Sequence, residues 1–252
     1  ENIIKQINIL VEQGYKEIVL TGVDITDYGK DLPNNITLGK LVKKILLHNP
    51  NLNRIRLSSI DVAEIDQDII DLIANEKRFM PHLHISLQSG DDMILKRMKR
   101  RHNRQQVIDF CNKVKEIRPD ITFGADIIAG FPTETEEMFN NTKLLLEETK
   151  IIFAHIFPYS PRDNTPAAKM PQVAVEIRKE RAKILRQINQ DNFNQRIKKE
   201  MLKYHNVLIE KNNKGRTENF IPVNLPNNHN YTPGLIYNMM IVQYILGLSS
   251  KI

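Results

Sequence analysis

The feature that most constrains the fold is the alternation of short apolar runs with amphipathic stretches over the first 160 residues. EIVLTG at 17–22, RIRLS at 54–58, HLHISL at 82–87, ITFGADIIA at 121–129 and IIFAHIFPY at 151–159 are rich in Ile, Val and Phe. They lack strict polar alternation, the pattern of parallel strands covered on both faces. Between them, apolar residues at helical spacing predict helices at about 36–48, 64–76, 91–117 and 134–150, and the chain opens on an amphipathic helix, ENIIKQINILVEQ. Strand and helix in strict succession mean βα units and a parallel sheet, an α/β fold. Right-handed crossovers then bring the strand C-termini and their loops to one face. A first helix with no strand before it gives the pattern of a barrel that has lost its first strand.

The character changes after residue 160. Residues 173–201 predict a long basic helix with Ile177, Ile184, Leu185 and Ile188 on one face. VLIEKN, ENFIPVNL and LIYNMMIVQYI then read as short strands parted by Asn, Gly and Pro turns, a small antiparallel β domain. The expected division is 1–201 and 202–252, with the boundary near Leu202.

Composition excludes several classes. The 252 residues are 41% hydrophobic and 26% charged, enough apolar content for a real core. No run approaches the length of a membrane span, and no signal peptide is expected at the start. The first residue is Glu1 rather than Met, so the chain reads as a fragment or as numbered from an internal point. A formal charge of +6 is compatible with nucleic acid but is shared by many ordinary proteins. The single cysteine, Cys111, excludes a disulfide framework and any Cys-rich metal site built from this chain alone. Its helical neighbours make it a small core residue.

In a parallel barrel the active residues lie at the C-terminal strand ends. Gly22 and Asp24 follow the first run, and Ser58 and Ser59 the second. Gln88 and Gly90 follow the third, GADIIAGFPTET holds the fourth, and FPYSPRDNTPA the fifth. Each turn alone has a structural reading, since Gly turns and Ser, Asp or Thr caps follow most such strands; Thr133 with Glu136 reads as a capping box. Together they line one cavity suited to a polar, nucleoside-like ligand. His82 and His84 share one side of a strand, and no third metal ligand stands at a suitable spacing, so packing or polar lining is expected. Arg97, Lys99, Arg100, Arg101, His102 and Arg104 form a basic patch able to hold a carboxylate or phosphate if it lies beside the cavity mouth.

EIVLTGVDITDYG, RIRLSSID, PHLHISLQSGDDMILKRMKRRH, FGADIIAGFPTET and FPYSPRDNTPAAKMPQ, in this order, resemble the radical S-adenosylmethionine methylthiotransferases over nearly the whole chain. TGVDIT and IFPYSPRDNTPAAKMPQ favour the threonylcarbamoyladenosine branch over the isopentenyladenosine and ribosomal-protein branches. The tail is similar to the small RNA-binding TRAM β-barrel. The resemblance implies a partial radical-SAM barrel binding S-adenosylmethionine, with [4Fe-4S] clusters in the complete enzyme. It implies addition of a methylthio group to C2 of the modified adenosine at position 37 of tRNA in the cytoplasm. Carried onto this chain, Gly22 and Asp24 meet the methionyl amino group, and Ser58 and Gln88 lie near the sugar and sulfonium. Arg97 or Arg100 faces the methionyl carboxylate. Asp126, Gly130 and Pro132 border the nucleoside, and backbone reaching Tyr159 borders the adenine. Lys203, Lys211, Lys214 and Arg216 of the small domain contact tRNA, with Arg178, Lys179, Arg181 and Lys183 of the long helix as further candidates. Two departures matter. Asn164 stands where the family has Gly, and the family's cluster-binding cysteines are absent, so no metal is ligated by this chain. Activity is expected only with the cysteine-bearing part, in one chain or as a separate N-terminal half; the alternatives are a non-catalytic tRNA-binding fragment or an inactive remnant.

Overall fold

The computed structural model describes residues 1–32, 36–228 and 230–242. Helix α1 (Asn2–Glu12) leads into β1 (Glu17–Leu20), which pairs in parallel with β2 (Arg54–Leu57) across α2 (Leu38–His48). The expected strand 54–58 is divided at Ser58. Its first part pairs with β1, while β3 (Ser59–Ile60) pairs with β4 (His82–Gln88). Pairing is thus handed from one neighbour to the next within one extended segment. From there β3, β4, β5 (Thr122–Ala129) and β6 (Phe153–Pro158) run parallel in chain order.

The helices form one outer layer: α2 against α3 (Gln67–Asn75), α3 against α5 (Arg104–Ile117), α5 against α6 (Glu136–Thr149), and α6 against α7 (Val175–Glu200). Leu83, Ile85, Leu87, Phe123, Ala125, Ile127 and Ala129 lie on the helix side of the sheet and are fully buried. Each buried Leu, Ile or Phe contributes about 1.5–3 kcal/mol of transfer free energy, so this face holds the core. The alternate residues point to the other, concave face. They include Glu17, Arg54, Arg56, His84, Asp126 and His155, which explains a polar residue at nearly every second position of apolar-looking runs.

The predicted helix 91–117 is two helices, α4 (Asp92–Arg97) and α5. After α4, Lys99 takes φ 57, Arg100 N–H returns to Leu95 O at 2.9 Å, and the chain turns. His102 is buried in that turn, and Asn103 then caps α5 in a box with Gln106. Apolar periodicity runs through the break because Met98 keeps the spacing. The expected box of Thr133 with Glu136 is not formed either. Thr133 has φ 68, and Thr135 caps α6 by accepting from Met138 N–H.

Helix α7 lies along β6. Asn189 accepts the Ala154 N–H at 2.9 Å and Arg186 donates to Ile156 O at 2.7 Å, so side chains satisfy backbone groups of that strand. Its inward stripe starts later than expected. Leu185 is buried and Ile184 and Ile188 pack on the core, but Ile177 is 46% exposed because Arg178 and Arg181 take the inward places in that turn.

Beyond α7, β7 (Tyr204–Glu210), β8 (Lys214–Arg216), β9 (Pro222–Asn224) and β10 (Ile236–Met240) form an antiparallel sheet in the order β10-β7-β8-β9. It has a small core of Val207, Ile209 and Leu225. The end of the expected run LIYNMMIVQYI, from 243 onward, lies outside the described residues. This sheet docks against the N-terminal ends of the parallel strands. Arg54 donates to Arg216 O at 3.3 Å and to Asn206 O, while Arg56 donates to Thr217 O at 3.0 Å and Glu218 O at 2.8 Å. Both guanidiniums share the Glu17 carboxylate. Thr122 Oγ1 donates to Asn219 O at 2.7 Å, and the Phe220 ring stacks on His82 at 4.4 Å between centroids.

Candidate active site

The C-terminal strand ends converge on one face. Gly22 follows β1, Ser58 lies between β2 and β3, Gln88 ends β4, Gly130 follows β5 and Tyr159 follows β6. Ladder bonds hold two of them in place: Ser58 N–H donates to Leu20 O at 2.9 Å and Tyr159 N–H to Ala129 O at 2.8 Å. Ser58 Oγ and the Tyr159 hydroxyl are buried and have no hydrogen-bond partner. Buried polar atoms are normally paired, and among the described residues these two hydroxyls have no protein partner to pair with. Gln88 sits at φ 67 beside a shift in the β4–β5 register. A non-glycine residue in that region carries backbone strain that its surroundings must hold.

Not every expected residue is free. Asp24 accepts from Thr26 Oγ1 at 2.9 Å and pairs with Arg101 at 3.1 Å. Arg101 also binds Asp27 at 2.9 Å and Glu64, and Lys30 joins the same carboxylates. The bonds from Arg101 and Lys30 hold the Asp27 carboxyl far below its ordinary range. The three acids Asp24, Asp27 and Glu64 are thus paired with two cations, and they tie the loop after β1 to the turn after α4. Arg100 donates to Asp61 and to Ser86 O, at 3.1 and 2.9 Å. Its Nε is buried and has no partner among the described residues. Arg97, exposed, reaches the Thr133 carbonyl at 3.5 Å and Met138 Sδ at 4.0 Å and no carboxylate among the described residues, so it is the freer of the two arginines proposed for a carboxylate.

The turn 130–132 is fixed from inside. Gly130 has φ 71, and a Cβ there would stand 2.6 Å from Arg178 Cγ. Gly130 N–H donates to Glu134 at 2.6 Å, Glu134 pairs with Arg181 at 2.9 Å, and Pro132 is buried beside them. Burial pushes the Glu134 carboxyl up despite Arg181. Arg178 lies over the Tyr159 ring at 5.4 Å and donates to Tyr159 O at 3.2 Å. Arg178 and Arg181 are thus buried parts of the mouth's support. That corrects their expected place on an RNA-facing helix surface, on which Lys179 and Lys183 remain exposed.

Asp126 lies lower, inside the concave face. Its Oδ1 is 3.3 Å from His84 Nε2, and that contact, outweighing burial, holds its carboxyl below the usual value. Gly124 makes room for this pair, because a Cβ at that position would be 2.6 Å from His84 Nδ1. His82 and His84 do share a face, but their environments differ. His82 bonds Thr122 Oγ1 at 2.9 Å under the Phe220 ring, and burial pushes its imidazole well below its ordinary pKa.

Sequence reasoning missed several of these partners. Asp61 accepts from Arg100, His102 and Ala63 N–H; burial raises its carboxyl, and those bonds more than offset the rise. The Glu17–Arg54–Arg56 group was missed as well, since EIVLTG and RIRLS read as buried strands without strict polar alternation. Glu134, Arg181 and Arg101 left no local signal, because their partners lie far away in the chain. In the small domain Lys211 and Lys214 are exposed. Lys203 is 3.7 Å from Glu200. Arg216 pairs with Glu210 at 3.1 Å and lies over Phe220 at 4.2 Å, so it serves the domain's packing. Cys111 is buried on the inner side of α5, and burial pushes its thiol up to about 12.

Among proteins of known name, the threonylcarbamoyladenosine tRNA methylthiotransferase of Rickettsia prowazekii is 58% identical over 223 residues, 88% of this chain and 53% of that protein. A tRNA-2-methylthio-N(6)-dimethylallyladenosine synthase of Shouchella clausii is 37% identical over 219 residues, 86% of this chain and 42% of that protein. The chain thus spans about half the length of these relatives. Among solved structures, coproporphyrinogen III oxidase from Escherichia coli, described as a radical SAM enzyme, superposes with a TM-score of 0.51 at 16% identity. That match covers 69% of this chain and 40% of the oxidase, a likeness of fold. The Radical SAM superfamily profile matches residues 1–146, from α1 through β5 and most of α6, and on that match the chain belongs to the radical SAM superfamily.

Proposed function

We propose that this chain carries the ligand-facing part of a radical SAM tRNA methylthiotransferase, one that adds a methylthio group to C2 of N6-threonylcarbamoyladenosine at position 37 of tRNA. The observation that carries the reading is the single mouth of polar strand ends with unpartnered buried atoms, in a chain 58% identical to an enzyme of that name. Such a mouth suits a zwitterionic, nucleoside-bearing ligand such as S-adenosylmethionine. In this reading Ser58 Oγ and the strand end at Gln88 meet its sugar and sulfonium, Gly22 and Asp24 its amino group, and Arg97 its carboxylate. The turn 130–132 and Tyr159 border the purines. When bound with a reduced [4Fe-4S] cluster, the cofactor supplies hydrogen-atom abstraction; these residues orient it and exclude water.

The cluster itself does not fit this chain's donors. The single thiol is buried on the helix side and held protonated, whereas clusters need several thiolates. In this reading the cluster's cysteines belong to a part of the enzyme other than these 252 residues. The small antiparallel sheet we read as a TRAM-type domain holding tRNA through Lys211 and Lys214, with the site of action in the cytoplasm. The test is a chimera in which this chain replaces the matching region of the Rickettsia relative, followed by nucleoside mass spectrometry of tRNA from cells lacking their own enzyme. Restored 2-methylthio-N6-threonylcarbamoyladenosine supports the reading. Methylthiolation confined to dimethylallyladenosine assigns the chain to the other branch, and neither product, from a folded chimera, rejects both.

A further inference from the structure

Midway down the concave face, between the mouth and the docked small domain, lies a layer of two imidazoles and a carboxylate. His84, Asp126 and His155 come from three adjacent strands, with Asp126 and His155 direct neighbours in the β5–β6 register. His84 Nε2 is 3.3 Å from Asp126 Oδ1, and the His84 and His155 rings are 5.5 Å apart. The trio is not sealed: the Asp126 side chain is 33% exposed and His155 is exposed. Nor is it the core, which lies on the opposite face of the same strands. Above it, exposed Phe157 gives the groove an apolar wall.

We propose that this layer receives the N6 substituent of the modified adenosine and selects a polar, carboxylate-bearing one, with His155 as the specificity-determining residue. The inference rests on the methylthiotransferase reading and deepens it. The His155 imidazole N–H offers a donor to a carboxylate, and the Asp126 oxygen not used by His84 offers an acceptor to hydroxyl and urea N–H groups. A threonylcarbamoyl group carries all three. A dimethylallyl group carries none and would strip water from Asp126 and His155 without replacing it. A site built to hydrogen-bond a substituent rejects the analogue that lacks those groups.

The test titrates the 252-residue chain, with ring-15N histidines, against N6-threonylcarbamoyladenosine, N6-dimethylallyladenosine and adenosine. In the native chain the first nucleoside should shift the His155 and His84 resonances and bind at least about ten-fold more tightly than the other two. His155→Phe should erase that margin while leaving the His82 resonance in place, which reports an intact fold, and His155→Gln should keep part of it. Equal binding of the three nucleosides, no binding of any, or an unchanged margin in His155→Phe overturns the proposal. The chimera separates the two ideas. Methylthiolation of the threonylcarbamoyl nucleoside with no effect of His155→Phe sinks this inference alone, whereas selective binding without any methylthiolation sinks the reaction and keeps the site.

Discussion

Gly124 is the clearest case of one residue setting the site. It faces the concave side of β5, and the space where its Cβ would stand is taken by His84 and by Phe153 O at 3.2 Å. Gly124→Ala should cost about 1–3 kcal/mol by overpacking, read as a lower denaturant midpoint, and should move the His84 imidazole resonance. His205 carries a pH dependence. It lies between Glu200 and Glu218, each 3.4 Å away, and their hydrogen bonds raise its pKa from 6.5 to about 9. Since the folded value lies above the unfolded one, this contribution is fully present below pH 6.5 and is lost as pH rises through about 9. The melting temperature of the native chain should therefore fall between pH 6.5 and 9 by more than that of His205→Gln. Parallel curves for the two proteins would refute the assignment.

At the scale of elements, the loop 217–221 between β8 and β9 decides how the small sheet sits. Phe220 is held at φ 70, where a bulky residue costs about 1–2 kcal/mol. Its ring is gripped by His82, Phe153 and the guanidiniums of Arg56 and Arg216. The side chain's packing thus offsets the backbone strain. Phe220→Ala keeps the strain and loses the packing, so it should destabilise by about 2–4 kcal/mol. Phe220→Gly loses the packing but relieves the strain and should be no worse than the alanine variant. Chemical denaturation ranks the two, and a glycine variant much less stable than alanine would show that the strain is not stored there.

For the whole molecule two outcomes are expected. Reconstituted with iron and sulfide, the 252-residue chain should hold no stable [4Fe-4S] cluster, because Cys111 is its only thiol and lies in the core. Stoichiometric iron with a cluster absorbance band would contradict this. Binding to tRNA should weaken steeply with salt, and the double variant Lys211→Ala, Lys214→Ala should lower the slope of log affinity against log salt by roughly two. An unchanged slope would place the RNA contacts elsewhere. The docking geometry adds a constraint. The small domain meets the N-terminal strand ends, while the mouth lies at the C-terminal ends, roughly 20 Å away along β4 at about 3.3 Å per residue. An RNA that touches both must run along the length of the parallel strands.

The order of strands and helices, the parallel sheet and the face bearing the polar ends were legible in the sequence, because they follow from local periodicity and from the handedness of βα units. The motifs around Gly22, Ser58, Gln88 and Gly130 could be read for the same reason: each is a strand end followed by a turn, a signal carried by neighbouring residues. No helix among the described residues is long and apolar enough to cross a membrane. Only the tertiary structure decided which charges face inward. Arg178 and Arg181 read as a solvated helix face, yet they are buried against Tyr159 and Glu134. Arg54 and Arg56 sit in a run that read as an apolar buried strand, yet they donate to backbone carbonyls some 150–160 residues away in the small domain. A guanidinium's spacing in sequence reports which side of a strand or helix it leaves from. Whether that side meets water, a carboxylate or another domain's carbonyls depends on packing between distant segments, and burial of a charge becomes tolerable only when those partners arrive.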